Sequence, residues 1–257
     1  MTQQTTPHTK VENISAEKNA SLAGDFRLRA ANDRGIYDHG WLKSAHSFSF
    51  ARYYDPKNMG FGPLRVINDD YIAGGNGFPT HPHDNFEIFS YVLDGALEHK
   101  DSMGNGSVVH GGGVQYMSAG TGVRHSEFNP DANKSVRLLQ IWLLPNVQNE
   151  APRYETKDLT PAEKDGKLAL FLSHDGRDNS MRIKSDADIY AATLNGKQVI
   201  ETNLPEGHVG WIQVARGTLS VNGQSLSEGD GLAIKKGGRL AFTDGKDAEI
   251  VYFDMWG

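Results

Sequence analysis

The chain contains no cysteine. That absence removes disulfides, iron–sulfur clusters, thiolate zinc sites and cysteine nucleophiles together. Positive charge is sparse as well. Lys and Arg number 26 against 32 Asp and Glu, for a net charge of −6, and no basic cluster occurs along the chain. Direct binding to nucleic acid or to an anionic membrane surface is therefore not expected. Long apolar runs are also missing: the longest, residues 138–144, is broken by Gln140. A membrane-spanning helix needs about 20 such residues. The N-terminus has no basic stretch leading into an apolar core, so no secretory leader and a cytoplasmic location are expected.

Glycine is in excess, 29 of 257 residues, where about 7% is usual. From Phe26 onward, short segments rich in Val, Ile, Leu, Phe and Tyr are separated by Gly, Asn, Asp or Pro. Residues 64–68, 86–93, 114–117, 136–144 and 167–172 each have the length of a strand. Residues 86–93 are almost wholly apolar, which predicts a strand packed on both faces. The second half continues with candidate strands at 198–202, 210–214, 218–221, 232–235, 240–243 and 249–253. Asn195-Gly196 and Asn222-Gly223 are hairpin signals, because a type I′ turn needs two residues with positive φ. No space is left for crossover helices, so the expected fold is all-β.

The expected organisation has three parts. Residues 1–24, rich in Thr, Gln, Asn and Lys, read as a disordered tail with a short helical turn near 16–20. Residues 25–150 and 151–257 read as two β domains, joined by a polar linker over 145–160 that holds Pro145 and Pro152. Thr160, Pro161 and Glu163 have the order of a cap, a first helical turn and a capping box. The halves are weakly alike: Tyr91-Val92-Leu93-Asp94-Gly95-Ala96-Leu97 is echoed by Gln213-Val214-Ala215-Arg216-Gly217-Thr218-Leu219. This suggests two copies of one β-barrel unit.

The chemistry is concentrated in His81-Pro82-His83 and His125-Ser126-Glu127. Along a strand, residues i and i+2 share a face. Two neighbouring strands would then bring three imidazoles and a carboxylate around one point. That donor set suits Fe(II), Mn(II), Co(II), Ni(II) or Cu(II). Histidines satisfied by backbone groups would not explain why both pairs share one spacing. Glu87, four residues beyond His83, would face the same side in a regular strand, whereas Asp84 would face away. His39, His46, His99, His110 and His174 have no partner at ligand spacing and carry no assigned role. Gly111-Gly112-Gly113 lacks the helix and lysine of a phosphate-binding loop and reads as a turn.

Gly75-x5-His81-x-His83-x3-Glu87-x7-Gly95 resembles the first cupin motif, and Gly122-x2-His125-x3-Asn129 resembles the end of the second. The runs from Thr80 to Glu87 and from Ser118 to Glu127 resemble the signatures of pirin-like bicupins. His46-Ser47-Phe48-Ser49-Phe50-Ala51 and Arg65-Val66-Ile67-Asn68-Asp69-Asp70 are similar to that family too. The likeness extends from about Arg29 to the C-terminus. It implies a bicupin, two jelly-roll-type β-barrels in tandem, with one divalent ion held by His81, His83, His125 and Glu127. Fe(II) is the expected ion, with Cu, Ni, Mn, Co or Zn as alternatives. In this family the acidic ligand follows the second-motif histidine, which selects Glu127 over Glu87. Aligning Gly217 on Gly95 puts Asn203 and Pro205 opposite His81 and His83. The second barrel is therefore expected to have lost the site, with His208 as an ordinary strand residue.

The resemblance further implies a quercetinase, in which a flavonol and O2 give a depside and carbon monoxide. Glu127 is expected to accept the flavonol proton. The alternative is a pirin-like regulator that uses its metal to bind a transcription factor or a metabolic enzyme.

Overall fold

The computed structural model describes residues 21–257; the turn expected near residues 16–20 lies outside them. Apart from the helix Pro161–Lys164 and two short 3-10 turns, the described residues form strands and their connections. Among them, no helix is long and apolar enough to cross a membrane.

The first barrel is built from two antiparallel sheets. The larger has seven strands in the order Arg153–Asp158, Gly113–Ser118, Glu87–Asp94, Val136–Leu143, Leu64–Ile72, Leu42–His46, Gly35–Asp38. The smaller has four: Gly77–His83, Val123–Phe128, Ala96–Asp101, Gly106–His110. The second barrel is one nine-stranded sheet, dominated by the long strands His208–Val221 and Gly238–Trp256. Each of these long strands joins two segments that read as separate in the sequence. The fold is thus a bicupin of two jelly-roll-type barrels, as expected.

Two expectations about the connections need correction. Residues 21–24 fall within the expected tail, yet Ala23 is buried and its N–H donates to Arg239 O at 3.0 Å. The strand Gly24–Arg29 then pairs with Gly231–Lys236 of the second barrel, covering an edge that would otherwise be open. Likewise, the expected linker contains Arg153–Asp158, which pairs residue for residue with Gly113–Ser118 of the first barrel. Pro152 stands just before this strand, where its missing N–H costs no ladder bond. Sheet membership therefore crosses the division near residue 150 in both directions. The capping box forms as read: Glu163 Oε2 accepts from the N–H and the hydroxyl of Thr160, each at 2.7 Å.

The two Asn-Gly signals have different outcomes. Asn222 and Gly223 have φ of 46° and 82° and close a two-residue hairpin between Val221 and Gln224. Asn195-Gly196 makes a turn, but the strands on either side pair with Gly238–Trp256 and not with each other. The internal echo is real in conformation. Gly95 and Gly217 both sit at positive φ, 77° and 65°, each between two strand segments.

The largest apolar cluster lies between the barrels, where Phe89, Tyr91, Tyr116 and Ile141 meet Phe171, Trp211 and Phe253. The second barrel has its own apolar interior around Ile212, Leu240, Phe242 and Ile250. The first barrel differs. Its apolar side chains form two small clusters, one around Val92, Leu97 and Leu138 and the other around Ile88, Met117 and Val123. Ser90, Gln115, Gln140, Asn68 and Asp70 are buried on the same strands. The strand Glu87–Asp94 explains the separation. Phe89, Tyr91 and Leu93 face the second barrel, whereas Ile88 and Val92 belong to the two interior clusters and Ser90 bonds inward to Glu127.

A Cβ at Gly217 would collide with the carbonyls of Lys246 and Asp247, whereas one at Gly196 (φ 63°) would meet nothing. Gly196→Ala should cost about 1 kcal/mol, from the left-handed backbone alone, and Gly217→Ala at least about 2 kcal/mol more. Urea denaturation of both variants checks this; equal losses would refute the close packing at Gly217.

Candidate metal centre

The strands Gly77–His83 and Val123–Phe128 are antiparallel neighbours, and their register puts His81 directly opposite His125. A bulge between His125 and Glu127 then shifts the pairing by one residue. His125 and Glu127 are both 2% exposed, and His81 and His83 are half-buried. The three imidazole rings stand 4.5 to 4.9 Å apart between centroids. One ring nitrogen from each lies within 4.8 Å of the other two.

Glu127 lies outside that group of three. Its carboxylate belongs to a second group, with His125 and His99, so the four residues read from the sequence form two triads that share His125. Gln140 Nε2 donates to Glu127 Oε2 at 2.9 Å, and Ser90 and Gln115 donate to Oε1. Burial pushes the Glu127 carboxyl up to about 7 against the pull of those three donors.

The imidazoles fit a divalent cation. Burial, followed by the neighbouring His81, pushes His83 down to about 4. Burial, with His81, His83 and His99 beside it, pushes His125 down to about 2. Both are therefore neutral near pH 7, the form that ligates a metal. His81 Nδ1 donates to Pro79 O at 2.8 Å, so in the neutral ring Nε2 is a bare lone pair, 3.0 Å from His125 Nε2. Two nitrogens each about 2.1 Å from one ion, at right angles, are separated by about that distance.

These side chains open into a cavity of about 620 Å³. Its walls include Tyr37, Phe50, Phe78 and Trp142, and Glu127 and Gln140 reach it from inside the barrel. His46 Nδ1, Asn68 Oδ1 and Asp70 Oδ1 also belong to this lining and have no protein partner. Burial, with Asp69 and Glu127 nearby, pushes the Asp70 carboxyl up to about 7.

Glu87 does not share the face of His83. His83 ends a strand of the four-stranded sheet and Glu87 begins one of the seven-stranded sheet, and Asn85, at φ 48°, lies in the connection between them. Glu87 instead accepts from Ser118 Oγ at 2.6 Å, from Tyr116, and from the N–H of Lys184 at 3.0 Å. It is a structural group facing the second barrel. His208 pairs with Asp254 at 2.7 Å and packs on Trp256, outside every cluster of metal-binding groups. His174 does have partners, Asp175 and Asp188, but Arg177 already bonds both carboxylates.

The largest omission of the sequence reading is His99. It is 1% exposed, 3.3 Å from His125 Nδ1, and 3.1 Å from Asp101. Its signal was available: His99-Lys100-Asp101 has the same i, i+2 spacing as the other two pairs. Gln115 and Gln140 carry no sequence signal because each is a lone polar residue in a strand, and Asn68 and Asp70 stand out only as part of a family-like polar run.

Residues 27–143 match the pirin family, and residues 170–255 match the quercetinase C-terminal cupin domain. A quercetin 2,3-dioxygenase of Escherichia coli strain K12 is 47% identical over 229 residues, 89% of this chain and 97% of that protein. The chain belongs to the pirin family. A pirin-like protein of Caulobacter vibrioides is 42% identical over 86% of the chain and 95% of its own length. The structure of the E. coli bacterial pirin YhhW in complex with nickel(II) superposes with a TM-score of 0.85. It shares 44% identity over 90% of this chain and 98% of that one.

Because Glu87 faces away from the pirin barrel's interior, Glu87→Ala should lower stability by about 2 kcal/mol or more through its orphaned donors. Bound metal, read by elemental analysis, should not change. Loss of metal without loss of stability would return Glu87 to the ligand set.

Proposed function

We propose that this pirin-like chain is a metal-dependent dioxygenase that opens the heterocyclic ring of a flavonol such as quercetin with O2. The observation that carries the reading is the convergence of three imidazoles at a cavity of about 620 Å³ with aromatic walls. Cavities of that size take small organic ligands. The E. coli relatives, one named for this activity and one holding nickel(II), support it. A cavity of that volume favours the enzyme over the regulatory alternative.

In this reading His81, His83, His125 and Glu127 hold one divalent transition ion. The donor set suits Fe(II) among several divalent ions, and the nickel(II) complex of YhhW makes Ni(II) a second candidate. When bound, the ion supplies Lewis acidity that acidifies a substrate hydroxyl, and a template for the reactants. Glu127 accepts the hydroxyl proton, while Gln115, Gln140 and Ser90 hold its carboxylate in place. Trp142 and Phe50, packed edge to face at 5.4 Å, give a planar substrate apolar walls and keep water away. The unpartnered atoms of His46, Asn68 and Asp70 suit a ligand carrying several hydroxyl donors. Flavonol and O2 together account for all the atoms of the depside and carbon monoxide, so no reductant is required.

The test is anaerobic reconstitution with Fe(II) or Ni(II), then quercetin and O2, with absorbance and carbon monoxide followed together. Metal-dependent carbon monoxide release is expected. Glu127→Ala should reduce it by roughly 100-fold or more, the usual contribution of a positioned base, and His81→Ala should also lose metal. A metal-loaded protein that leaves quercetin intact would contradict the proposal.

A further inference from the structure

We propose that Asp101 and His99 act as a relay that sets the tautomer of His125 and so keeps its Nε2 lone pair available to the ion. This rests on His125 being a ligand, as proposed above. The three pairs His81/His83, His125/Glu127 and His99/Asp101 lie on three adjacent strands, and Glu127 faces His99 across the ladder while His125 faces Asp101.

The proton positions follow from the partners. Asp101 Oδ1 accepts the backbone N–H groups of Met103 at 2.9 Å and Asn105 at 3.0 Å. Asp101 Oδ2 accepts Asn105 Nδ2 at 2.9 Å and faces His99 Nε2 at 3.1 Å. A carboxylate in this position only accepts, so His99 carries its proton on Nε2. A neutral imidazole has one such proton, which leaves His99 Nδ1 bare. That atom lies 3.3 Å from His125 Nδ1, so the proton between them belongs to His125. His125 Nε2 is therefore bare and meets the bare Nε2 of His81 at 3.0 Å. Two lone pairs at that distance repel each other unless a cation lies between them. His99 cannot readily turn out of the relay, because its ring lies flat on Tyr154, 4.1 Å between centroids and 11° between planes.

His99 is a positioning residue here, not a ligand. As a ligand it would direct Nδ1 at the ion, and His125 Nδ1 would lose its acceptor. Partners that fix the free nitrogen of a ligating histidine typically contribute 10- to 100-fold in metal affinity.

The test uses the full chain and three variants, with two readouts. One is the Ni(II) dissociation constant by chelator competition. The other is the protonated nitrogen of His125 in the metal-free protein, from long-range ¹H–¹⁵N correlation. In the unmodified protein His125 should be protonated on Nδ1. Asp101→Asn would turn an amide N–H towards His99 and reverse the order, moving the His125 proton to Nε2 and weakening Ni(II) binding about 10- to 100-fold. His99→Gln keeps an acceptor for His125 and should bind Ni(II) within about threefold of the unmodified protein, whereas His99→Leu should lose about tenfold or more.

The relay is overturned if Asp101→Asn leaves both the tautomer and the affinity unchanged. It is also overturned if Gln and Leu at position 99 weaken binding equally, as a ligand or a packing role would require. A chain that takes up no Ni(II) would refute the metal reading instead, and the metal-free tautomer would still decide the relay.

Discussion

Polar groups enclosed in the first barrel need one another, and the rest of the structure is arranged around that need. A carboxylate and four histidines lie where most proteins place apolar side chains. Each must be neutral, hydrogen-bonded or paired with a cation. Glu127 has three side-chain donors. Burial and neighbouring rings keep His83 and His125 in the neutral form. Among the clustered histidines, the facing Nε2 atoms of His81 and His125 remain uncompensated, and that is where a cation fits.

Such an interior cannot also be the main source of stability. The largest apolar cluster lies outside it, between the barrels, where the seven-stranded sheet packs on the second barrel. Strand alternation makes this possible: one face of Glu87–Asp94 supplies Phe89 and Tyr91 to that cluster, and the other supplies Ser90 to Glu127. The second barrel keeps an apolar interior and supplies half of the interface. Buried polar contacts cross it, among them the Tyr91 hydroxyl donating to Glu249 Oε1 at 2.6 Å and Arg137 donating to Ala215 O at 3.1 Å. The metal-binding barrel can thus give up part of its own core because its partner supplies a surface to pack against.

Much of this is legible in the sequence, because period-2 alternation and ligand spacing are local signals. The all-β fold, the repeated barrel and the pairs His81/His83 and His125/Glu127 follow from short segments. The failures are equally physical. Extending the alternation from His83 to Glu87 fails because the chain leaves one sheet after His83 and enters the other at Glu87, through a connection in which Asn85 takes a positive φ. Residues 153–158 look like linker because neither face of that strand is markedly apolar; only its pairing with Gly113–Ser118 reveals it. His99 and Asp101 share the spacing of the other pairs, yet only the strand order shows that they lie beside His125. Gln115, Gln140, Asn68 and Asp70 gain meaning when three separate strands point them into one interior.

The most direct measurement is a crystal structure of the ion-loaded chain, with the metal located by its anomalous scattering. One ion is expected within about 2.1 Å of nitrogens from His81, His83 and His125, with a carboxylate oxygen of Glu127 completing the protein ligands. An ion bound by His99, His125 and Glu127 without His81 and His83, or seated at His174 in the second barrel, would contradict the proposed centre.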